Sequence, residues 1–221
     1  MREGLTEVVF ILDKSGSMSG LEADTIGGFN SMIQKQKKEE GEAYISVVLF
    51  NDGSEVVYDR VALDKIKPMT DDDYYVGGCT ALLDAVGGAI HHIGNIHKYA
   101  REEDVPEKTI FIITTDGMEN SSHEYNYAKV KKMVERQEEK YGWKFIFLGA
   151  NIDAAKEAGK FGIKANRAVN YECNSEGTRN NYMKVSSMLS VHRKMAGAQA
   201  DCCINEIVAE MNEEFEKKRR K

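Results

Sequence analysis

Proline is almost missing from this chain, with 2 in 221 residues. Long extended linkers are usually rich in proline, so the count points to continuous packed structure. Cysteine is also scarce. Cys79, Cys173, Cys202 and Cys203 form no CxxC pair, so they give no sign of a zinc site. Neighbouring Cys202 and Cys203 are poorly placed to bond to each other, and all four read as reduced, small, semi-apolar residues. Long apolar runs are lacking too. The run that opens the chain, Val8 to Leu12, is too short for a signal segment or a membrane span and ends on an aspartate. The expectation is a cytoplasmic protein with no membrane contact. Positive charge is not in excess: the formal net charge is -6. A general nucleic-acid binder needs a basic face for phosphates, so no nucleic-acid partner is expected. What is present is an ordinary globular balance, 42% hydrophobic and 30% charged, in a chain long enough to build a core without staples.

The order of patterns suggests an α/β fold. Val8 to Leu12 is continuously apolar and β-branched, as in a parallel strand buried on both faces. Ser19-Gly20-Leu21-Glu22 fits a capping box with Ser19 as N-cap. Ile26, Phe29 and Ile33 then carry a helix to about Lys38, and Gly41 breaks it. Tyr44 to Phe50 reads as a strand, Asn51-Asp52-Gly53 as a hairpin turn, and Glu55 to Ala62 as an antiparallel edge strand. A polar loop, Met69 to Cys79, leads into a helix from Thr80 with Leu83, Val86, Ile90 and Ile93 on one face. Thr109 to Thr115 is a second fully apolar strand. Helices follow over Tyr125 to Lys140, Ala154 to Gly159 and Glu176 to Met195, and strands over Trp143 to Leu148 and Ala168 to Tyr171. This alternation predicts a doubly wound, mostly parallel sheet with one antiparallel edge strand and helices on both faces. The domain is expected to span 1–196. Residues 197–221 form an amphipathic helical extension in which Ile204, Ile207, Val208, Met211 and Phe215 make one stripe. That stripe must pack on something, either its own domain or a second copy through self-association.

Polar residues gather where strands end. Asp13-Lys14-Ser15-Gly16-Ser17 follows the first strand, Gly77-Gly78-Cys79-Thr80 precedes a helix, and Thr115-Asp116-Gly117 follows the second apolar strand. Open α/β sheets bind ligands beyond the carboxyl ends of their strands, at the switch point. Asp13, Ser15, Ser17, Thr80 and Asp116 offer two carboxylates and three hydroxyls, an all-oxygen set that suits Mg²⁺, with Mn²⁺ as a substitute. Singly, each is most simply a turn or cap residue. Five of them on one predicted edge favour a metal site.

Asp13-x-Ser15-x-Ser17, then Thr80, then Asp116 in a Thr-Asp-Gly turn resembles the metal-ion-dependent adhesion site of the von Willebrand factor A domain family. Gly78-x-Thr80-Ala81-Leu82-x-Asp84-Ala85 is similar to the family's second loop, and Thr115 to Ser122 to small free-standing bacterial and phage members. The resemblance covers about residues 5 to 195. It implies sheet order 3-2-1-4-5-6 with the site above strands 1 and 4. It also implies a non-enzymatic module that captures a protein partner's Asp or Glu through the ion, with Thr80 approaching the metal when that acidic ligand is bound. Lys14 departs from the pattern, and its side chain is expected to point to solvent.

A rival reading is a haloacid-dehalogenase-like phosphotransfer enzyme with Asp13 as nucleophile. That family needs a second aspartate two residues on, where this chain has Ser15. No GxGxxG follows the first strand and there is no GxxxxGKS/T. His91, His92 and His97 share a helix at spacings that make no ligand set. Asp71 to Asp73 read as a solvated loop, Trp143 as core, and the basic residues at 217–221 as a solvated helix end.

Overall fold

A computed structural model describes residues 1–195 and 197–220. Ala196, which closes the expected domain, and Lys221, which closes the expected extension, lie outside the described residues. The elements run β1 (Arg2–Asp13), α1 (Glu22–Gln36), β2 (Glu42–Phe50), β3 (Ser54–Ala62), α2 (Leu82–Tyr99), β4 (Pro106–Thr115), α3 (Tyr127–Tyr141), β5 (Lys144–Ala150), α4 (Ala154–Lys160), β6 (Ala168–Tyr171), α5 (Ser175–Lys194) and α6 (Gly197–Arg219). The sheet order is β3-β2-β1-β4-β5-β6, parallel throughout except for the antiparallel β2–β3 pair.

The unbroken apolar run of β1 follows from this position. Val8, Phe10 and Leu12 face a layer built from α1, α5 and α6, while Val9 and Ile11 face α2, α3 and α4. A central strand with both faces buried cannot alternate apolar with polar residues. α1 lies so close to α5 that a Cβ on Gly28 would sit 2.4 Å from the Tyr182 ring, which makes glycine obligatory there. Trp143 is buried and stacks on Phe111 with ring centroids 5.3 Å apart.

Three local expectations are corrected. The N-cap of α1 is Leu21, not Ser19. The Ser19 hydroxyl instead donates to the Gly16 carbonyl, closing a short 3₁₀ turn, and Glu22 accepts from the Gly20 N–H. Lys14 does not reach solvent. It is buried, with Nζ 2.7 Å from the Glu55 carboxylate and 4.2 Å from the Tyr75 ring centroid. β3 supplies that partner by folding back beside the first loop. The segment before α2 is polar only in part: Met69 and Tyr74 are buried within it.

α6 packs on the rest of the chain. Ile204, Val208 and Met211 join the core layer of α1 and α5, with Ile207 partly buried against it. Asp201 pairs with Arg167 at 2.6 Å and Lys144 at 2.9 Å. Asn212 reaches the outer rim of β6. Its Nδ2 donates to the Ala168 carbonyl, and its Oδ1 accepts from the Asn170 N–H, both at 2.9 Å. Among the described residues no helix is long and apolar enough to cross a membrane, and the four cysteines are free.

Candidate metal centre

β1 and β4 are neighbours, and β1 leads outward through β2 to β3 while β4 leads to β5 and β6. Their carboxyl ends are therefore the point at which the strand order reverses. Asp13 ends β1, Thr115 ends β4, and Asp116 follows at once. The five residues predicted from the sequence meet here. Asp13 Oδ1 accepts from the Ser15 N–H and Oδ2 from the Thr115 hydroxyl, each at 2.7 Å. The Ser15 and Ser17 hydroxyls lie 3.0 Å apart, and Ser17 donates to Asp116 Oδ1 at 2.5 Å. A Cβ on Gly117 would meet Thr80 Oγ1 at 3.4 Å and Ser17 Oγ at 3.5 Å, which places the Thr80 hydroxyl on the same cluster. Thr80 does not cap α2; that position belongs to Ala81.

Backbone contacts lock the three loops together. Gly16 N–H donates to Gly78 O at 3.1 Å, and Gly77 N–H to Lys14 O at 2.9 Å. Gly78 has φ +80°, a backbone region open mainly to glycine. The hairpin turn holds this loop from behind, with Asn51 Nδ2 on Gly77 O and the Cys79 N–H on Asp52 Oδ1. Thr80 exchanges two bonds with Asn120: its N–H donates to Asn120 Oδ1 at 2.9 Å and its carbonyl accepts from Asn120 N–H at 3.0 Å. Glu119 accepts from the Leu83 N–H at the start of α2, and Asp84 accepts from the N–H groups of His123, Glu124 and Tyr125. Below the site, the Tyr74 hydroxyl donates to the Asp13 carbonyl at 2.6 Å.

Asp13 and Asp116 are about 1–2% exposed. Burial pushes both carboxyls above their ordinary range. For Asp13, the Ser15 and Thr115 hydrogen bonds oppose that rise and the Asp116 charge adds to it. Two adjacent buried carboxylates make a place where a cation lowers the free energy. Among the described residues no three His, Cys, Asp or Glu side chains converge as a metal group. The oxygens that do meet are carboxylate and hydroxyl, a set that fits a hard, oxygen-preferring cation.

Several residues of the site were not singled out from the sequence. Cys173, read as inert, follows β6 and directs its thiol at Asp116 Oδ2, 3.6 Å away. The strand-end rule that found Asp13 and Asp116 applies to it equally. Asn120 and Tyr74 carried no signal, because their partners lie 40 and 61 residues away. The histidines are engaged elsewhere: His92 with Asp59, His91 with Asn95 and His97 with Glu7. Asp73 accepts from the Thr70 backbone and hydroxyl within its own loop.

No family model matches the sequence, and no curated protein matches it. Solved structures do. A von Willebrand factor type A protein from Catenulispora acidiphila superposes with TM-score 0.56 at 17% identity, over 83% of this chain and 42% of that one. The PilB minor pilin from Streptococcus sanguinis gives 0.57 at 10%, over 84% and 61%. Proximal thread matrix protein 1 from the mussel byssus, with a zinc-occupied metal-ion-dependent adhesion site, gives 0.56 at 15%, over 84% and 46%. The chain thus spans about half the length of the structures it matches. At these identities the likeness establishes the fold.

Proposed function

With the von Willebrand factor A fold as the premise, we propose that this chain is a non-enzymatic binding module. It holds a divalent cation, Mg²⁺ or Mn²⁺, through Asp13, Ser15, Ser17, Thr80 and Asp116, and captures a protein partner by an Asp or Glu side chain. The observation that carries this reading is the single cluster formed by two buried carboxylates and three hydroxyls at the reversal of strand order. The neutral hydroxyls leave much of the cation's charge uncancelled, so the bound ion supplies an electrophilic point that an acidic side chain can complete. The protein's own residues do the positioning. Thr115 and the Ser15 N–H fix the Asp13 carboxylate, Ser17 fixes that of Asp116, and Asn120 anchors the backbone of Thr80.

The phosphotransfer alternative is less well supported. That reaction needs a general acid two residues after the nucleophile, and the position is held by Ser15, whose hydroxyl lies 3.0 Å from that of Ser17. The direct test is calorimetric titration of Mg²⁺ into the wild type and Asp13→Ala, with circular dichroism on both. Saturable binding that disappears in a folded variant supports the reading; unchanged binding removes Asp13 from the site. Capture of a partner in Mg²⁺ but not in EDTA tests the second half of the proposal.

A further inference from the structure

A second surface lies between α2 and α3, on the side of the sheet away from α5 and α6. It is a groove of about 970 Å³. Its lining runs from Tyr125, just before α3, to Tyr141 at its end, so it follows the whole helix. Fifteen residues of α-helix span about 22 Å, too long a track for one small anion. Met133 and Val105, both half-buried, give the groove an apolar floor above buried Ile90 and Pro106.

Its charge is opposite to that of the chain. Lys98, Lys129, Arg136 and Lys140 line it, against a single carboxylate, Glu107, which already accepts from the Gly4 N–H. Lys129, Arg136 and Lys140 fall on one stripe of α3, together with Met133 and Gln137. Two acidic residues of that helix are engaged elsewhere: Glu135 pairs with Lys131, and Glu138 sits among Lys164, Lys144 and Arg167. Among the described residues, no ion pair involves any of the four groove cations; neighbouring lysines pair outside it, as Lys131–Glu135 and Lys144–Asp201 do. Lys129 Nζ lies 3.9 Å from the Tyr125 ring centroid, and a hydrogen bond from Arg136 holds the Tyr141 phenol below its ordinary range. Four cations with no carboxylate partner among the described residues, in one groove of a chain with net charge -6, are an uneven distribution that charge complementarity explains.

We propose that this groove docks an acidic, amphipathic peptide segment of a protein partner, its apolar side on the Met133–Val105 floor and its carboxylates on Lys98, Lys129, Arg136 and Lys140. The length matches about four turns of helix or a shorter extended strand. The apolar floor favours a peptide over a nucleic acid, whose backbone would meet the cations and leave the floor uncovered. This surface is independent of the cation site at the strand ends.

The test uses the full chain in EDTA, which silences the cation site. A display library of random peptides of about 16 residues, matched to the groove by helix rise, is panned on it. Binders to a Lys129→Glu, Arg136→Glu, Lys140→Glu variant are removed. The expected result is a set of net-negative sequences with apolar residues at helical spacing. A synthetic representative, followed by fluorescence anisotropy, should bind about tenfold or more weaker to the charge-reversed variant and lose affinity with added salt. A Met133→Asp variant should weaken it as well, and circular dichroism should show both variants folded. The proposal is overturned if no sequences are enriched or if they are neutral or basic. It is also overturned if polyglutamate or duplex DNA binds as tightly as the selected peptide.

Discussion

Replacing Asp13 by Asn should separate the energetics of the cation site from those of the fold. The substitution is nearly isosteric, and its hydrogen bonds can be re-formed. Asn Oδ1 can accept from the Ser15 N–H as Asp13 does at 2.7 Å. The Asn NH₂ can donate to the Thr115 hydroxyl, whose proton, released from Asp13, can then turn to the Gly117 carbonyl 3.0 Å away. The variant also removes one of two buried carboxylates that burial and mutual repulsion disfavour. Each unit of such a rise corresponds to about 1.4 kcal/mol. In EDTA the variant should therefore melt at or above the wild type. In excess Mg²⁺ the order should invert. A cation present at about 100 times its dissociation constant stabilises the folded state by about 2.7 kcal/mol. For a chain of this size that is on the order of 5–10 °C in melting temperature. Differential scanning calorimetry in EDTA and in Mg²⁺ reads all four values. The reasoning fails if the wild type does not respond to Mg²⁺, if the variant responds equally, or if the variant is several degrees less stable in EDTA.

Thr80→Ala should weaken acidic-partner binding more than cation binding, by about 1 kcal/mol for one lost hydroxyl interaction; equal losses in the two titrations would contradict a role in the liganded state. His192 is buried, its Nε2 has no hydrogen-bond partner among the described residues, and burial, aided by Lys108 and Lys144, lowers its pKa from 6.5 to about 3. The folded state therefore keeps it neutral while the unfolded chain takes up its proton below pH 6.5. This contribution to stability is complete above that pH and declines as pH falls towards 3, by about 1.4 kcal/mol per unit. Denaturant titrations at pH 7, 6 and 5 should show it, and a His192→Leu variant should have a flatter profile. Removing residues 197–221 uncovers the sites of Ile204, Val208 and Met211, all buried. At about 1.5–3 kcal/mol per side chain the loss is roughly 5–9 kcal/mol, comparable to the stability of a whole domain. A truncated chain that melts like the full one would show α6 to be idle.

The elements that were legible from the sequence are those whose burial leaves a periodic trace. Val8 to Leu12 and Ile110 to Ile113 are apolar without interruption because helices cover both sides of β1 and β4, and the turn chemistry at Asn51 to Gly53 marks the antiparallel edge. The meeting of Asp13, Ser15, Ser17, Thr80 and Asp116 was legible because strand ends, loop glycines and short oxygen side chains coincide at three places. What stayed hidden depends on contacts across the chain. Ser19 has the chemistry of a cap, but the neighbouring Gly16 carbonyl takes its hydroxyl. Lys14 looks like a surface residue until β3 brings Glu55 to it. Tyr74 stands in polar company with no period to betray its burial, and the braces made by Asn120 and Asp84 bridge about 40 residues.

An open sheet has two rims, and each is a template on which another chain can polymerise. Here both rims are modified. β3 is irregular, with register shifts against β2 and a left-handed residue at Arg60 (φ 50°). β6 is four residues long, and Asn212 of α6 holds the Ala168 carbonyl and Asn170 N–H that an incoming strand would need. The amide of Asn212 works as a chain terminator for the backbone ladder. Proteolysis between α5 and α6 would thus do more than weaken the core; it would expose a growth point. We expect the trimmed protein to elongate into β-rich assemblies that bind amyloid dyes, whereas a trimmed protein that stays monomeric and dye-negative would show that β6 is too short to recruit a strand.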